Sequence, residues 1–491
     1  EGIKEKALED FIRQTIKGTE WEGKVFIAGG YVRDEFMGKD PKDLDLLVNS
    51  PNGGIEFAKW ITKKVGCYKG VPETPKPPFP QINYRTQGVQ NLEPATEEDW
   101  AKVDAWQAEV DRINDEQAKA GSNPVIFQRF GTAKFNLRGV VHNGQDLSQM
   151  DIEAVMPRKE QYTAGSRKPT VTGGELKDDV ERRDFTVNSL LKDLSSGEIL
   201  DLTGMGKADI QAGIIRTPLN PDKIFTDDPL RMLRAIRFTV KYNWKLPLFM
   251  IRGLKKNASQ LQNISQERIR DELNKMLMTG YPQNAIQLMK ITGLLSYVIP
   301  ELIPLIKLKQ NEFHKDDAFK HTLDVLSKTQ PILIQRLMGL FHDIGKAATH
   351  SITPTGVHFY GHENEGAEIA TMVMRRLKYP TELINAVVAG VKNHMRFKHG
   401  GDEANVSDRT LRTFIRDLGE NLQDTLELIH ADNIAHSEAA SMPNQISKIR
   451  ERLKTLEMNP TNKGELQLPI SGKDLLQMGI PQGELIGKIK G

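Results

Sequence analysis

The chain has 491 residues, of which 38% are hydrophobic and 27% charged, which predicts a globular protein of about three domains. A formal net charge of +2 excludes a global basic field, so any nucleic-acid contact has to come from local patches. No apolar run reaches the ~18 residues of a membrane span, and we expect no signal peptide because the first residues are polar. The single cysteine excludes an internal disulfide and predicts a reducing, cytoplasmic setting.

The first predicted elements are a helix within residues 1–20 and a strand at 25–27 that leads into a paired glycine and a new helix. Gly29 and Gly30 allow close backbone approach and expose N–H groups, and a helix N-terminus favours anions. This turn therefore predicts a phosphate site. A plain polar turn is the alternative interpretation.

A second predicted strand carries two acids. Because side chains alternate along a strand, we expect Asp43 and Asp45 to share one face, with Leu44 and Leu46 on the other. Neighbouring carboxylates repel each other unless a cation joins them, and bridging divalent ions drive phosphoryl or nucleotidyl transfer in many enzymes. An exposed strand face is the alternative, but a phosphate turn and an acid pair so close in sequence favour the functional interpretation.

The next part of the chain contains an interruption. A predicted helix near 54–65 precedes a Pro- and Gly-rich segment and a capped helix from 97 to about 120, so residues 68–122 are predicted to be an insertion into a sheet. Strand patterns resume at 125–130, 132–141 and 150–154. In the last of these, Asp151 and Glu153 alternate on one face. Either could supply a third carboxylate to a metal or belong to a solvated edge.

Two further motifs combine arginines with acids. Arg182, Arg183 and Asp184 offer forked donors for phosphates and an acceptor for ribose hydroxyls, although such a motif alone is typical of a helix-surface ion pair. From residue 201 onward the pattern is helical. Asp228 and Arg231 are predicted on one helix face, where the acid can accept from an exocyclic amine and the arginine can donate to the neighbouring ring nitrogen. Cytosine and adenine both present that pattern, and a simple salt bridge is the alternative.

Most of the histidines lie in residues 308–440, and those that recur between helical segments include His314, His321, His342, His358, His362, His394 and His430. The doublet His342-Asp343 follows an apolar helix, with His321 upstream and Asp432 downstream. Imidazole and carboxylate ligands from several helices suit a hydrolytic divalent metal centre. A lone histidine is more often structural, but this combination is a strong signal.

Together these motifs resemble the class II tRNA nucleotidyltransferases, the CCA-adding enzymes that are close kin of bacterial poly(A) polymerases. The shared motifs are Gly-Gly-x-Val-Arg-Asp, Asp-x-Asp, Arg-Arg-Asp-Phe-Thr and Asp-Asp-x-x-Arg, in the expected order. The likeness covers nearly the whole chain apart from 68–122. Asp227 stands where the family usually has Glu, a departure that we expect to be tolerated. The histidine-rich segment resembles the HD phosphohydrolase domain that some bacterial CCA-adding enzymes carry.

The resemblance implies a polymerase-beta-like α/β head followed by an all-α neck, an HD domain and a tail, at 1–195, 196–305, 306–440 and 441–491. It implies that Asp43 and Asp45 bind Mg²⁺ and activate the RNA 3′-hydroxyl, and that Asp228 and Arg231 select CTP and then ATP. The implied nucleotide-binding residues are Gly29, Gly30, Arg33, Arg182, Asp184, Asn188, Asp228, Arg231 and Arg234. The implied HD metal ligands are His321, His342, Asp343 and Asp432, with His362 and His394 as further pocket histidines. The metal of this second site is not specified.

The resulting functional hypothesis is addition of CCA to tRNA with CTP and ATP as partners, no membrane association, and a possible phosphohydrolase activity. The motifs leave poly(A) addition and partial CC- or A-addition open. An alternative of another class is an HD phosphohydrolase whose head serves only to bind RNA. The intact acids and arginines of the predicted head speak against that alternative.

Overall fold

The computed structural model describes residues 2–70, 97–128, 131–161, 170–310, 316–438 and 440–458. The chain divides into two compact units, Glu1–Pro300 and Glu301–Gly491. The three boundaries between the four predicted domains remain predictions. His314, most of the Pro- and Gly-rich segment and the end of the predicted tail lie outside the described residues. In the part of the chain that is described, no helix has both the length and the apolar character needed to span a membrane.

The first unit is built on a mixed sheet. Its strands and those of two small hairpins are β1 Val25–Ala28, β2 Asp45–Val48, β3 Val125–Phe127, β4 Thr132–Phe135, β5 Val141–His142, β6 Gln145–Asp146, β7 Ile152–Val155, β8 Arg158–Gln161, β9 Thr170–Gly173, β10 Leu191–Asp193 and β11 Ile199–Leu200. The sheet order is β11-β10-β1-β2-β7-β4-β3. Strands β2 and β7 run parallel, and the other neighbours are antiparallel.

Helices flank this sheet and then continue without further strands, which confirms the predicted α/β head followed by helices. The helices are α1 Ile3–Ile16, α2 Gly30–Phe36, α3 Gly53–Lys64, α4 Glu97–Lys119, α5 Leu176–Glu181, α6 Gly206–Ala212, α7 Pro221–Asp227, α8 Leu230–Tyr242, α9 Leu248–Asn257, α10 Gln266–Leu277, α11 Pro282–Ile291 and α12 Leu295–Val298. The predicted helices at 54–65 and 97–120 agree with α3 and α4 to within one residue at each end.

Close packing of α3 on the sheet fixes the position of β7. A Cβ atom on Gly54 would lie 2.4 Å from the carbonyl oxygen of Ala154 and 2.8 Å from that of Gly131, so only glycine permits this approach. Phe57 of α3 is fully buried, with its ring centroid 6.4 Å from that of Phe135 of β4. A second apolar cluster, which includes Val180 of α5, packs on the sheet: Phe26, Ala28, Leu47, Val180 and Leu191.

Helix α4, the described end of the predicted insertion, packs against β3. Val110 and Ile113 are buried, and Gln117 Oε1 accepts a 3.0 Å hydrogen bond from the backbone N–H of Ile126. These residues join the insertion to the edge of the sheet.

Several predicted strand limits are wrong. Strand β2 begins at Asp45, and Asp43 lies before it with φ of +54°, so the two acids do not alternate along one strand. Asp151 likewise precedes β7. The strand predicted over 132–141 ends at Phe135 because the N–H of Asn136 donates to the side chain of Asn123, at 3.1 Å, instead of to a neighbouring strand.

The second unit is mainly helical. Its helices are α13 Ala318–Lys328, α14 Leu333–Phe341, α15 His362–Arg376, α16 Thr381–Asn393, α17 Asp408–Leu418, α18 Leu422–Ile434 and α19 Gln445–Met458, and a short hairpin joins β12 Ser351–Thr353 to β13 Gly356–His358. Helices α14, α16 and α18 pack against one another, and α13 packs on α14 and α18. This arrangement brings the ends of several helices together.

Candidate active site and metal centre

The acid edge of the first unit is centred on Asp45, at the start of β2. Asp45 pairs in register with Ala28 on one side and with Glu153 of β7 on the other. The residue keeps an exposed surface, but protein packed around its carboxylate raises the pKa to about 6, and the charges of Glu153 and Asp43 add to that rise. Glu153 is thus the better placed of the two candidates for a third carboxylate. Its side chain also approaches Lys134, at 3.8 Å.

The glycine turn lies directly beside this edge. Gly29 follows β1 with φ of +79°, a conformation that favours glycine, and α2 begins at the next residue, as predicted. A Cβ atom on Gly29 would lie 3.4 Å from Nη1 of Arg183, whose charge acts against the raised pKa of Asp45. Arg183 therefore lies between the turn and the acids, where it offers positive charge to a phosphate.

Arg182 and Arg183 share one buried acid. Asp179 is fully buried, and its two oxygens accept from Arg182 at 2.8 Å and from Arg183 at 3.0 Å. Burial alone would raise the pKa of Asp179, but the two arginine charges outweigh burial and hold it below the ordinary value. Both guanidinium groups remain about one-fifth exposed, so they are ion-paired and still accessible.

Arg33 is buried within the protein. Its Nη1 donates to Oδ1 of Asn188 at 2.6 Å, its Nε donates to Asp34 at 2.8 Å, and its guanidinium lies 5.0 Å from the ring centroid of Tyr242 in α8. These contacts give Arg33 a positioning role between the glycine turn and α8. The implied contact with a triphosphate remains a prediction.

Asp184 continues the same network. Its carboxylate accepts from Asn188 at 3.0 Å and from Nη2 of Arg234 at 2.6 Å, and the residue is 7% exposed. Burial alone would raise the pKa of Asp184, but Arg234 and Asn188 outweigh burial and lower it. The carboxylate is therefore charged and fully used in holding two of the implied nucleotide-binding side chains, and a direct nucleotide contact remains a prediction.

Asp228 and Arg231 do not share a helix, so that prediction is wrong. Asp228 is the residue between α7 and α8, where it caps the backbone N–H of Leu230 at 3.1 Å. Its other oxygen pairs with Arg268 of α10 at 3.0 Å, whereas Arg231 Nη1 donates to the carbonyl of Ile224 at 3.4 Å. The alternative interpretation, a simple salt bridge between Asp228 and Arg231, is also wrong because each side chain has a different partner. The shift arises because Pro229 cannot continue a preceding helix.

The second unit gathers the predicted HD ligands into one buried cluster. Nε2 of His321 lies 2.9 Å from Oδ1 of Asp432, and Nε2 of His342 lies 3.2 Å from Oδ2 of Asp343. His321 and Asp432 belong to α13 and α18, and the doublet directly follows α14. His362 and His394 also reach Asp343, at 3.3 and 3.6 Å. The structure thus brings all six residues together, while His358 lies in the β13 hairpin strand.

One local hydrogen bond orients several of these imidazoles. Nδ1 of His342, His362 and His394 each contacts the backbone carbonyl three residues earlier, at 2.8, 2.8 and 2.6 Å. Because a carbonyl oxygen only accepts, each Nδ1 carries a proton, and in the neutral ring Nε2 presents a lone pair inward. Nε2 of His342 is buried and lies 3.2 Å from Oδ2 of Asp343 without a well-aligned hydrogen bond. Burial alone would lower the pKa of His342, but the charge of Asp343 outweighs burial and raises it.

The carboxylates of the cluster stay ionised. Burial alone would raise the pKa of Asp343 and Asp432, but His342 and Lys346 hold the first, and Lys398 and His321 the second, well below the ordinary value. Lys346 Nζ is 2.7 Å from Asp343, and Lys398 Nζ is 2.6 Å from Asp432. Burial lowers the pKa of His321 and His394, which favours the neutral, ligating form.

Sequence reasoning missed three residues of these sites, while Arg183, identified from the sequence as a phosphate donor, lies beside the glycine turn. Lys346 and Lys398 pair with the HD carboxylates, and burial lowers the pKa of His436 to about 4 beside Asp432. Lys346 lies one turn after the doublet and His436 one turn after Asp432, so helical spacing was an available signal for both. No local signal marks Lys398.

Each donor set fits a different metal. Asp43, Asp45 and Glu153 offer hard oxygen ligands whose mutual repulsion a divalent ion would relieve, which fits an ion that keeps water and phosphate ligands. Nε2 of His342, which makes no well-aligned hydrogen bond, fits a transition metal together with the inward histidines. Within the described ranges, sets of three ligating side chains closer than 4.8 Å occur only among residues of the second unit: His321, His342, Asp343, His362, His394, Asp432 and His436.

Three family models match the chain. The poly A polymerase head domain matches residues 107–216, the probable RNA and SrmB-binding site of polymerase A matches 251–306, and the HD domain matches 319–436. The last match spans the cluster just described. The glycine turn and Asp45 precede the range of the head-domain model.

Solved structures share the fold. The Bacillus stearothermophilus CCA-adding enzyme in complex with CTP has a TM-score of 0.55 at 19% identity, covering 99% of this chain and 90% of its own. The Thermotoga maritima CCA-adding enzyme complexed with tRNA has a TM-score of 0.51 at 18% identity, covering 95% of this chain and 85% of its own.

Two relatives found by sequence have a higher identity to this chain than these structures do. The CC-adding tRNA nucleotidyltransferase of Thermus thermophilus is 28% identical over 328 residues, covering 64% of this chain and 72% of the relative. The A-adding tRNA nucleotidyltransferase of Deinococcus radiodurans is 32% identical over 336 residues, covering 64% of this chain and 73% of the relative. With this likeness and the sites above, the chain belongs to the tRNA nucleotidyltransferase family.

Proposed function

We propose that the protein adds CCA to tRNA 3′ ends without a template, using CTP, ATP and Mg²⁺. The observation that carries the proposal is the acid edge, where Asp45 lies in register between Glu153 and Ala28, the residue directly before the glycine turn. Family membership supports the reaction class. Structural neighbours described as complexes with CTP and with tRNA support the choice of partners.

The residues of the acid edge suit nucleotidyl transfer. Asp43 and Asp45 would hold Mg²⁺, which when bound stabilises charge on the attacking and leaving oxygens. Deprotonated Asp45 would accept a hydrogen bond from the RNA 3′-hydroxyl, whose oxygen attacks the α-phosphorus while pyrophosphate leaves. Arg183 and the backbone of the glycine turn would bind the triphosphate, because Nη1 of Arg183 lies beside Gly29 and its charge acts on the carboxylate of Asp45.

Base choice would involve Arg231 and Asp228 near the start of α8. The Asp228 carboxylate pairs with Arg268 at 3.0 Å, and the buried Asp184 holds Arg234 one turn further along α8. An acid acceptor beside an arginine donor matches the edge shared by cytosine and adenine. This arrangement supports CTP and ATP over UTP and GTP.

The test is sequencing of the products formed on tRNAs that lack three, two or one 3′ nucleotides, with CTP alone, ATP alone, or both. Ordered addition of C, C and A supports the proposal, whereas CC only, A only or long A tails identifies one of the partial or poly(A) activities. Asp45→Asn should abolish addition. The matched control is Asp40→Asn, an exposed acid of the same segment whose ion pair with Lys6 is 3.6 Å long. No incorporation with any acceptor would refute nucleotidyl transfer.

We also propose a metal-dependent phosphohydrolase activity in the second unit. It is supported by the inward Nε2 of His342 beside two ionised carboxylates, which suits a divalent metal that activates water. The test is hydrolysis of phosphodiesters and cyclic nucleotides by the full chain with Co²⁺ or Mn²⁺. Asp343→Ala should remove hydrolysis and keep nucleotide addition, and the exposed Glu382→Gln should keep both. We place both activities in the cytoplasm, a proposal that rests on the single cysteine.

A further inference from the structure

Lys192 of β10 is a buried lysine at a position that an apolar side chain would usually occupy. It pairs in register with Ile27 of β1 and is 7% exposed. Because side chains alternate along a strand, Leu191 points into the apolar cluster that contains Val180, and Lys192 points to the opposite face, toward α1 and α2. A lysine so far from water is stable only when its charge is paired.

Two carboxylates from different helices pair with this charge. Nζ of Lys192 lies 2.6 Å from Oε1 of Glu9 in α1 and 2.7 Å from Oε1 of Glu35 in α2. Glu9 is buried and also pairs with Arg13, at 2.5 Å. Nε of Arg13 in turn donates to the carbonyl of Leu194, at 3.1 Å. The ion pairs therefore join α1, α2 and β10.

Helix α2 is held by this network at two positions. Tyr31 and Glu35 are four residues apart, so they share one face of the helix. The buried hydroxyl of Tyr31 donates to Oε2 of Glu9 at 3.1 Å. Burial and the charge of Glu9 raise the pKa of this phenol, so it stays protonated and donates. Both turns of α2 are thus fastened to the pair of Glu9 and Lys192.

The other side of α2 faces the network described above. Arg33 lies two residues from both Tyr31 and Glu35, which places it on the opposite side of the helix, where it donates to Asn188 at 2.6 Å. The first residues of α2 are those of the glycine turn, so the direction of the helix sets the direction of the N–H groups of that turn. A buried ion pair adds little net stability, but few arrangements of its partners satisfy it.

We propose that Lys192 is a positioning residue for the triphosphate: by holding Glu9 and Glu35 it fixes α2, and with it the N–H groups of the glycine turn that receive the phosphates. The inference rests on the proposed function, which makes a nucleoside triphosphate the ligand of this turn. Without the ammonium group, the carboxylates of Glu9 and Glu35 would repel each other and displace α2. Because every nucleotide presents the same triphosphate, CTP and ATP should be affected equally.

The test is steady-state kinetics of the full chain with truncated tRNA. In Lys192→Met we expect the KM for CTP and the KM for ATP to rise by the same factor, about tenfold, because hydrogen bonds to phosphate stabilise ground state and transition state alike. The values of kcat and of the KM for tRNA should change by less than about twofold. Lys192→Arg keeps the charge and should stay within about threefold of the wild type. The matched control is Lys59→Met, which removes a partly exposed ion pair with Glu56 of α3, 3.4 Å long, and should leave every constant unchanged.

Urea unfolding of each variant separates positioning from stability. A lower unfolding midpoint in Lys192→Met with both KM values unchanged would overturn the inference, because Lys192 would then only stabilise the fold. A change for one nucleotide alone would overturn it too, since the turn does not read the base. If Lys192→Met does not fold, Glu35→Gln replaces it, because Glu35 is 32% exposed; both KM values should rise by about threefold, and unchanged values would overturn the inference.

Equilibrium dialysis of CTP with Mg²⁺ and no acceptor distinguishes this inference from the proposed function. We expect the Kd for CTP to rise in Lys192→Met by the same factor as the KM. Equal affinity of the wild type and Lys192→Met would overturn the inference alone. A folded wild type that binds no CTP would overturn the proposed function, and the inference with it.

Discussion

Replacing Asp184 with Ala tests the buried network that connects the glycine turn to α8. The Arg234 guanidinium would lose its 2.6 Å partner, and Asn188 its 3.0 Å acceptor. Removing one member of a buried ion pair costs about 3–5 kcal/mol, but Arg234 is 33% exposed and solvent screens part of that loss. We therefore expect the free energy of unfolding of the first unit to fall by roughly 2–3 kcal/mol.

Tryptophan fluorescence during urea unfolding measures this change selectively, because all five tryptophans lie within residues 1–300. With a slope of about 3 kcal/mol per molar, the unfolding midpoint should fall by roughly 0.7–1 M urea. A double-mutant cycle with Arg234→Ala isolates the pair, and we expect a coupling energy of about 1–2 kcal/mol.

The matched control is the exposed pair Asp222 and Lys256, with side chains 39% and 70% exposed. Its coupling energy should stay below about 1 kcal/mol because both charges are solvated. A coupling energy between Asp184 and Arg234 that is no larger than that of the control pair would refute the network as a source of stability. A normal urea midpoint for Asp184→Ala would refute it as well.

Two other substitutions test the acid edge and its support. Glu153→Gln removes a charge that raises the pKa of Asp45, which is about 6 in the wild type. Activity at limiting Mg²⁺ increases with pH as Asp45 loses its proton. In the variant this increase should therefore begin at a lower pH. The pH profile of kcat/KM for CTP measures this, with Glu198→Gln as the control, and an unmoved acid limb would contradict it. Gly54→Ala would place a Cβ 2.4 Å from a strand carbonyl and should cost at least about 2 kcal/mol by the same fluorescence assay. Gly280→Ala, which has open space around it, should be nearly neutral, and equal effects of the two would refute the close-packing argument.

The motifs that could be predicted are those whose information is local. Gly29 follows the short apolar strand β1, and Asp45 begins the short apolar strand β2. The two strands pair in the register that brings these two residues together. The doublet His342-Asp343 is distinctive because few structural roles need both groups at the end of an apolar helix. In both cases residue type and spacing along a few positions carry the chemistry.

What the sequence did not reveal depends on pairings between distant segments. Asp228 pairs with Arg268 instead of Arg231 because α7 ends before Pro229, and α10 then supplies the partner. Arg183 reaches Gly29 only because α5 and the turn after it pack beside β1. Lys398, which follows α16, pairs with Asp432 of α18. Spacing rules describe one element at a time, so such contacts lie beyond them.

The network around Asp184 also bears on how one site could accept two different nucleotides. Arg33, Asn188, Asp184 and Arg234 form a continuous chain of hydrogen bonds from α2 to α8, at 2.6, 3.0 and 2.6 Å. Base choice by hydrogen bonding requires a fixed distance between the triphosphate and the base-reading side chains, because a displacement of about 1 Å already breaks a hydrogen bond. A buried, charge-assisted network holds that distance, whereas the partly exposed Asp228–Arg268 pair can adjust. The rigid part of the site would thus set where the triphosphate lies, and the adjustable part would let the same acid and arginine face first cytosine and then adenine.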